Sequence, residues 1–186
     1  MRTAIRSLPL LPLVCVLSAL SCLAPSTARA DLGVWTGVGI AEHHTSTVDT
    51  ALVWDPHIRF WNVGDWNMAL LGELHAAWFH NSEGEDPRDL GAFGATPVFR
   101  FGKTEGALRP YFEAGVGIRF LTGTELNDSY HISTSFQFAD MVGAGVAFGE
   151  KGQYQVGYRF QHISNASIKR PNPGIDFHQI YFGYMF

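Results

Sequence analysis

The chain has 186 residues, 16% of them charged, with a formal net charge of −4, 20 glycines and 14 phenylalanines. A mildly acidic balance with no basic block argues against a nucleic-acid partner. No continuous apolar run beyond Ala30 approaches the length of a membrane-spanning helix, so an aromatic-rich, glycine-punctuated chain of this kind reads as a β-protein of the outer membrane rather than a soluble sandwich.

Residues 1–30 read as a secretory signal peptide. Arg2 and Arg6 precede an apolar stretch over residues 8–23, and Ala28-Arg29-Ala30 forms a small-x-small cleavage site. The domain then occupies residues 31–186. Both cysteines, Cys15 and Cys22, lie in the leader, so the domain is expected to use neither a disulfide nor thiol chemistry.

From Leu32 the sequence alternates with the period of a strand. Leu32, Val34, Thr36, Val38 and Ile40 share one parity, with Gly33, Trp35, Gly37 and Gly39 on the other. Residues 43–50 are polar and read as a turn. In the second run Leu52, Trp54, Pro56, Ile58 and Phe60 alternate with Val53, Asp55, His57 and Arg59; in the third, Met68, Leu70, Leu74 and Trp78 alternate with Leu71, Glu73 and His75. A fourth run sets Phe93, Ala95, Pro97, Phe99 and Phe101 against Thr96, Val98 and Arg100. Pro97 removes a ladder donor, which predicts a local gap.

The fifth run places Phe112, Ala114, Val116, Ile118 and Phe120 against Tyr111, Glu113 and Arg119; the sixth places Phe136, Phe138, Val142, Ala144, Val146 and Phe148 against Gln137, Ala139 and Met141. The seventh places Tyr154, Val156, Tyr158 and Phe160 against Gln155, Arg159 and Gln161, and the last places Ile180, Phe182, Tyr184 and Phe186 against Gln179, Tyr181 and Met185. These eight runs predict an all-β fold, an eight-stranded antiparallel transmembrane β-barrel. Connections at 63–65, 102–109 and 149–152 are the inner turns, and those at 43–50, 80–89, 122–134 and 165–174 face outward. Asp55, His57, Arg59, Glu73, His75, Arg100, Glu113, Arg119, Arg159 and Gln179 all take the inward parity. In a barrel of this size they predict a packed polar plug rather than a diffusion pore.

The stretch from Tyr158 to Asp176 carries the candidate chemistry. His162, Ser164 and Asp176 supply a base, a nucleophile and an orienting carboxylate. His162 and Ser164 continue the lipid-facing parity of Val156 and Tyr158, while Asp176 continues that of Ile180 through His178. All three are therefore expected on the outer wall near the external rim, where polar groups facing lipid are functional by default. Asn165, Asn172 and Gly174 between them offer oxyanion donors or loop-shaping groups. By spacing alone, a polar loop rim remains the alternative. Asp140 also takes the lipid-facing parity, either beside this site or at headgroup level. Lys169 and Arg170, with Arg88, read either as solvated loop charges or as contacts for lipid phosphates. His43-His44 has no partner at metal-ligand spacing, so no metal site is expected.

The run His162-Ile-Ser-Asn-Ala-Ser-Ile-Lys-Arg-Pro-Asn-Pro-Gly-Ile-Asp176 resembles the signature of the PagL family of lipid A 3-O-deacylases, as do the segment Phe136-Gln-Phe-Ala-Asp-Met-Val-Gly-Ala-Gly145 and the terminal Phe186. The resemblance implies a serine esterase of the Gram-negative outer membrane that hydrolyses the 3-hydroxyacyl ester at the 3-position of lipid A. It implies no cofactor, lipid A or lipopolysaccharide as partner, and a homodimer as an open assembly state. The family's His and Ser fall on His162 and Ser164, and its acidic member, typically Glu, falls on Asp176, one methylene shorter. Its asparagines fall on Asn165 and Asn172. A non-enzymatic eight-stranded barrel serving adhesion or membrane integrity is the alternative reading.

Overall fold

A computed structural model describes residues 31–84 and 86–186; the expected signal peptide lies outside the described residues. Eight long strands close into an antiparallel barrel: β1 (Asp31–Ala41), β2 (Thr45–Val63), β3 (Trp66–Asn81), β4 (Asp89–Lys103), β5 (Leu108–Leu121), β8 (Phe136–Phe148), β9 (Tyr154–Ser164) and β10 (Ile175–Met185). Two short strands, β6 (Glu125–Asn127) and β7 (Tyr130–His131), pair as a separate hairpin between β5 and β8. Closure joins β1 to β10, from Gly33 opposite Met185 to Ile40 opposite His178. Both ends of the barrel chain therefore lie at one rim, the inner one for this class of fold.

The expected polar turn over residues 43–50 is mostly strand. Thr45, Thr47 and Asp49 are buried on the inner face, and β1 reaches β2 through residues 42–44 alone. Polar side chains filling a barrel look like a loop in sequence, because inside and outside exchange their usual chemistry. The expected gap at Pro97 is present: β4 pairs with β5 at Ala95 and again at Val98, with no pairing between.

β2 slips register between Trp54 and Ile58 and again between Phe60 and Val63, with His57 and Trp61 at φ of 59° and 58°. His57 and Arg59, expected in the plug, are corrected to the exposed inner end. There the Arg59 guanidinium holds the Asp55 carboxylate through bonds of 2.5 and 2.8 Å.

The rest of the charged interior is as parity predicts, and it is connected. Arg159 donates to both oxygens of Glu73 at 2.8 Å and to Glu113 at 2.6 Å. Arg100 reaches Glu113 at 2.9 Å, Tyr181 donates to Glu113 at 2.9 Å, and Trp35 donates to Glu73 at 3.1 Å. The Arg159 guanidinium also lies 4.5 Å from the Trp35 ring centre and 4.7 Å from that of Tyr181. His75 Nδ1 sits 3.1 Å from Asp49, and Arg119 lies fully buried beside them. These large side chains displace Cβ atoms from the facing strands: a Cβ at Gly157 would come within 2.6 Å of the Tyr181 ring.

Toward the outer rim the filling becomes apolar, with Phe79, Leu90, Leu126, Ile132, Ile163, Ile175 and Phe177 packed together. The outside is a hydrophobic band edged by aromatic rows. Phe93, Phe120 and Phe136 are register partners near the outer rim, and Phe148, Tyr154 and Tyr184 line up near the inner one, the girdles of a lipid-embedded barrel.

Removing the central cation should leave two buried carboxylates facing each other. Arg159→Gln is expected to lower unfolding free energy by about 3–5 kcal/mol, read as a reduced midpoint of heat-modifiable gel mobility. Lys151→Gln on an exposed inner turn should leave that midpoint unchanged.

Candidate active site

β9 carries His162 opposite Asp176 of β10 on one flank and opposite Asp140 of β8 on the other. Cross-strand partners share a face of the sheet, so Asp140, His162 and Asp176 form one row on the outer wall. His162 Nδ1 lies 2.5 Å from Asp176 Oδ1, with the two side chains 39% and 45% exposed. The short Asp reaches the imidazole because the two residues face each other in register. An Nδ1–H donated to the carboxylate leaves Nε2 as the basic nitrogen, the tautomer that a general base requires.

Ser164 follows on the same face, opposite Phe138, with roughly 6.5–7 Å of strand between its Cα and that of His162. The next outward residue of β8 toward the rim is Phe136 of the aromatic row, whose ring lies 5.1 Å from that of Phe138. The serine therefore stands one step inside the outer girdle.

The connection 165–174 is held from several directions. Ala166 and Ser167 both take positive φ, 51° and 62°, a costly conformation for residues with a Cβ that the surroundings must impose. Asn165 is fully buried; its N–H donates to Asn172 Oδ1 and its Nδ2 to the Lys169 carbonyl, both at 2.9 Å. Of the two roles the sequence left open for Asn165 and Asn172, these bonds serve the shaping of the loop. Gly174, at φ 75°, packs against the imidazole so closely that a Cβ there would stand 2.7 Å from His162 Cε1.

Two residues that sequence reasoning passed over tie this loop to the neighbouring one. Tyr130 of β7 donates its hydroxyl to the Gly174 carbonyl, and Ser133 Oγ donates to the Pro171 carbonyl at 2.6 Å. Burial pushes the Tyr130 hydroxyl up to about 12, with the carboxylates of Glu42 and Asp176 adding to the rise. It therefore stays a neutral donor through the physiological range, and its bond is lost only as pH climbs toward that value. Their contacts span 44 and 38 residues of sequence, with no periodic signal to announce them.

Beside His162 an apolar groove of about 550 Å³ runs over the outer wall, lined by Phe160, Val142, Val116, Ala114, Phe99 and Pro97, with Asp140 and His162 at its polar end. It crosses the strands where Pro97 interrupts the ladder.

A closed barrel with a filled charged interior and two aromatic girdles defines an integral outer-membrane β-barrel, here with a His–Asp pair on its lipid-facing wall. The family model for lipid A 3-O-deacylase (PagL) matches residues 45–185. The lipid A deacylase PagL of Bordetella bronchiseptica is 31% identical over 172 residues, covering 90% of this chain and 91% of the relative. That of Pseudomonas aeruginosa is 32% identical over 173 residues, covering 93% and 96%. A crystal structure of the outer membrane enzyme PagL superposes with a TM-score of 0.72 at 25% identity, covering 82% of this chain and 98% of that one. The chain belongs to the PagL family of lipid A 3-O-deacylases.

Gly174→Ala should force the imidazole away from Asp176 while the barrel stays folded. The expected outcome is loss of the low-field Nδ1 proton resonance of His162 with unchanged heat-modifiable mobility. Retention of that resonance would show that the loop absorbs the methyl group elsewhere.

Proposed function

We propose that this chain hydrolyses the 3-O-linked hydroxyacyl ester of lipid A in the outer leaflet by a serine mechanism. The observation that carries the reading is the in-register His162–Asp176 bond of 2.5 Å on the lipid-facing wall, with Ser164 on the same face.

Ser164 Oγ attacks the ester carbonyl carbon as His162 Nε2 takes its proton, and Asp176 stabilises the imidazolium through Nδ1. Collapse of the tetrahedral intermediate breaks the bond to the sugar oxygen, which leaves with the proton from His162 as a free 3-hydroxyl. Water then attacks the acyl-Ser164 carbonyl, giving a proton to His162, and the 3-hydroxy fatty acid departs as Ser164 regains its hydrogen. One water is consumed per ester, and the proton moves at each step through His162.

The groove beside His162 receives the acyl chain. A chain moving from bilayer into groove leaves one apolar medium for another, so little hydrophobic driving force separates correct from incorrect lipids. Selection has to come from shape and from polar contacts. Asp140 is exposed at the groove's polar end, and a carboxylate against hydrocarbon needs a donor. The chain's own 3-hydroxyl, two carbons from the scissile carbonyl, is that donor in this reading.

Ser164→Ala should abolish loss of the hydroxyacyl chain from lipid A, seen by mass spectrometry of cells expressing the protein. Asp176→Asn should slow it by roughly 10³–10⁴-fold through the wrong imidazole tautomer. Deacylation that survives Ser164→Ala would remove the serine mechanism, and a lipid A profile indifferent to the wild-type protein would favour a non-enzymatic barrel.

A further inference from the structure

The charges of the outer rim are unevenly distributed. Glu42, Glu83, Asp86, Asp89, Glu125 and Asp128 all belong to the first three connections or the strand ends beside them, and the cation among them, Arg88, is engaged by Asp86, Glu125 and Asp128. Connection 165–174 is the reverse. It carries Lys169 and Arg170 side by side, both exposed, and neither takes part in a salt bridge among the described residues.

Their backbone is fixed relative to the nucleophile. The Lys169 carbonyl is bonded by the side chain of Asn165, the residue after Ser164; Ile168 N–H donates to the Asn165 carbonyl at 3.0 Å, and the Pro171 carbonyl is held by Ser133. Ile168 beside the pair is 68% exposed, an apolar tip next to cations as expected for a segment lying at a headgroup layer. Two unpaired cations on a rigid loop, one short connection from the catalytic serine and surrounded by an acidic rim, focus anions onto this side of the site.

We propose that Lys169 and Arg170 form a phosphate-binding site that seats the phosphate nearest the scissile ester. This rests on the lipid A reading above. The sugar of lipid A that bears the 3-O-acyl chain also bears a phosphate at its 1-position, so the ligand is that phosphate monoester. The acidic remainder of the rim repels the same group and fixes the orientation in which the disaccharide lies across the barrel. The pair thus selects the phosphorylated sugar, while the triad acts on its ester.

The test is hydrolysis kinetics in nonionic detergent micelles with lipid A carrying both phosphates, lacking the 1-phosphate, or lacking the 4′-phosphate. For the wild type, loss of the 1-phosphate should raise apparent KM roughly tenfold with kcat little changed, since charge-assisted bonds at an exposed site contribute modestly. Lys169→Gln with Arg170→Gln should raise KM on the intact substrate to the same level and add nothing on the 1-dephosphorylated one.

Equal KM for substrates with and without the 1-phosphate overturns the inference, as does a response to the 4′-phosphate alone. A wild type indifferent to substrate phosphates but stimulated by added anionic phospholipid assigns the cations to neighbouring headgroups and also overturns it. Release of no hydroxy fatty acid from any of the three substrates would instead sink the lipid A reading. Because the wild-type comparison needs no variant, the test stands even if the double substitution fails to fold.

Discussion

The structure depends on one electrostatic arrangement, the Arg159 guanidinium held between Glu73 and Glu113 in the middle of the barrel. In hydrocarbon the sheet has to close to satisfy its backbone, and a closed barrel of this size has just enough room for side chains. Mutually neutralising charges fill that room, with Glu73, Glu113 and Arg159 all buried. They leave the inside without a place for a substrate. The candidate His162–Asp176 pair stands instead on the wall, where alternate residues of the same strands already face lipid.

That placement is why so much could be read from the sequence. Parity along β9 assigned Arg159 inward and His162 and Ser164 outward, and the burial of Arg159 and the exposure of His162 follow it. Extending the parity of β10 back to Asp176 also anticipated a carboxylate on the same face. Strand direction carried less information at the rim. Residues 45–50 were polar enough to pass for a turn, yet Thr45, Thr47 and Asp49 are interior filling. The bulges of β2 broke the alternation where His57 and Arg59 were counted. Tyr130 and Ser133 act through single hydrogen bonds across long sequence separations, which neither period nor composition encodes.

The rim and the wall divide the labour. Register alone places His162 against Asp176, a contact as rigid as the sheet. The loop beyond Ser164 has no ladder to hold it, and its two positive-φ residues are maintained by the Asn165 bonds and by the hairpin of β6 and β7. Preorganisation of this kind spares the site from rearranging when charge develops during reaction. Asn165 and Asn172 matter here as structural parts of the loop, whatever else the bound substrate draws from them.

The proposed site on the outer wall changes what concentration means for this protein. Its substrate is a component of the solvent in which the barrel is dissolved, so encounter is a two-dimensional search and occupancy follows mole fraction in the leaflet rather than molarity in water. The freed fatty acid departs sideways into the same sheet, and the remaining lipid drifts off beside it. A catalyst arranged this way meets its lipid without a tunnel or a gate, and takes its water from the headgroup side of the same rim.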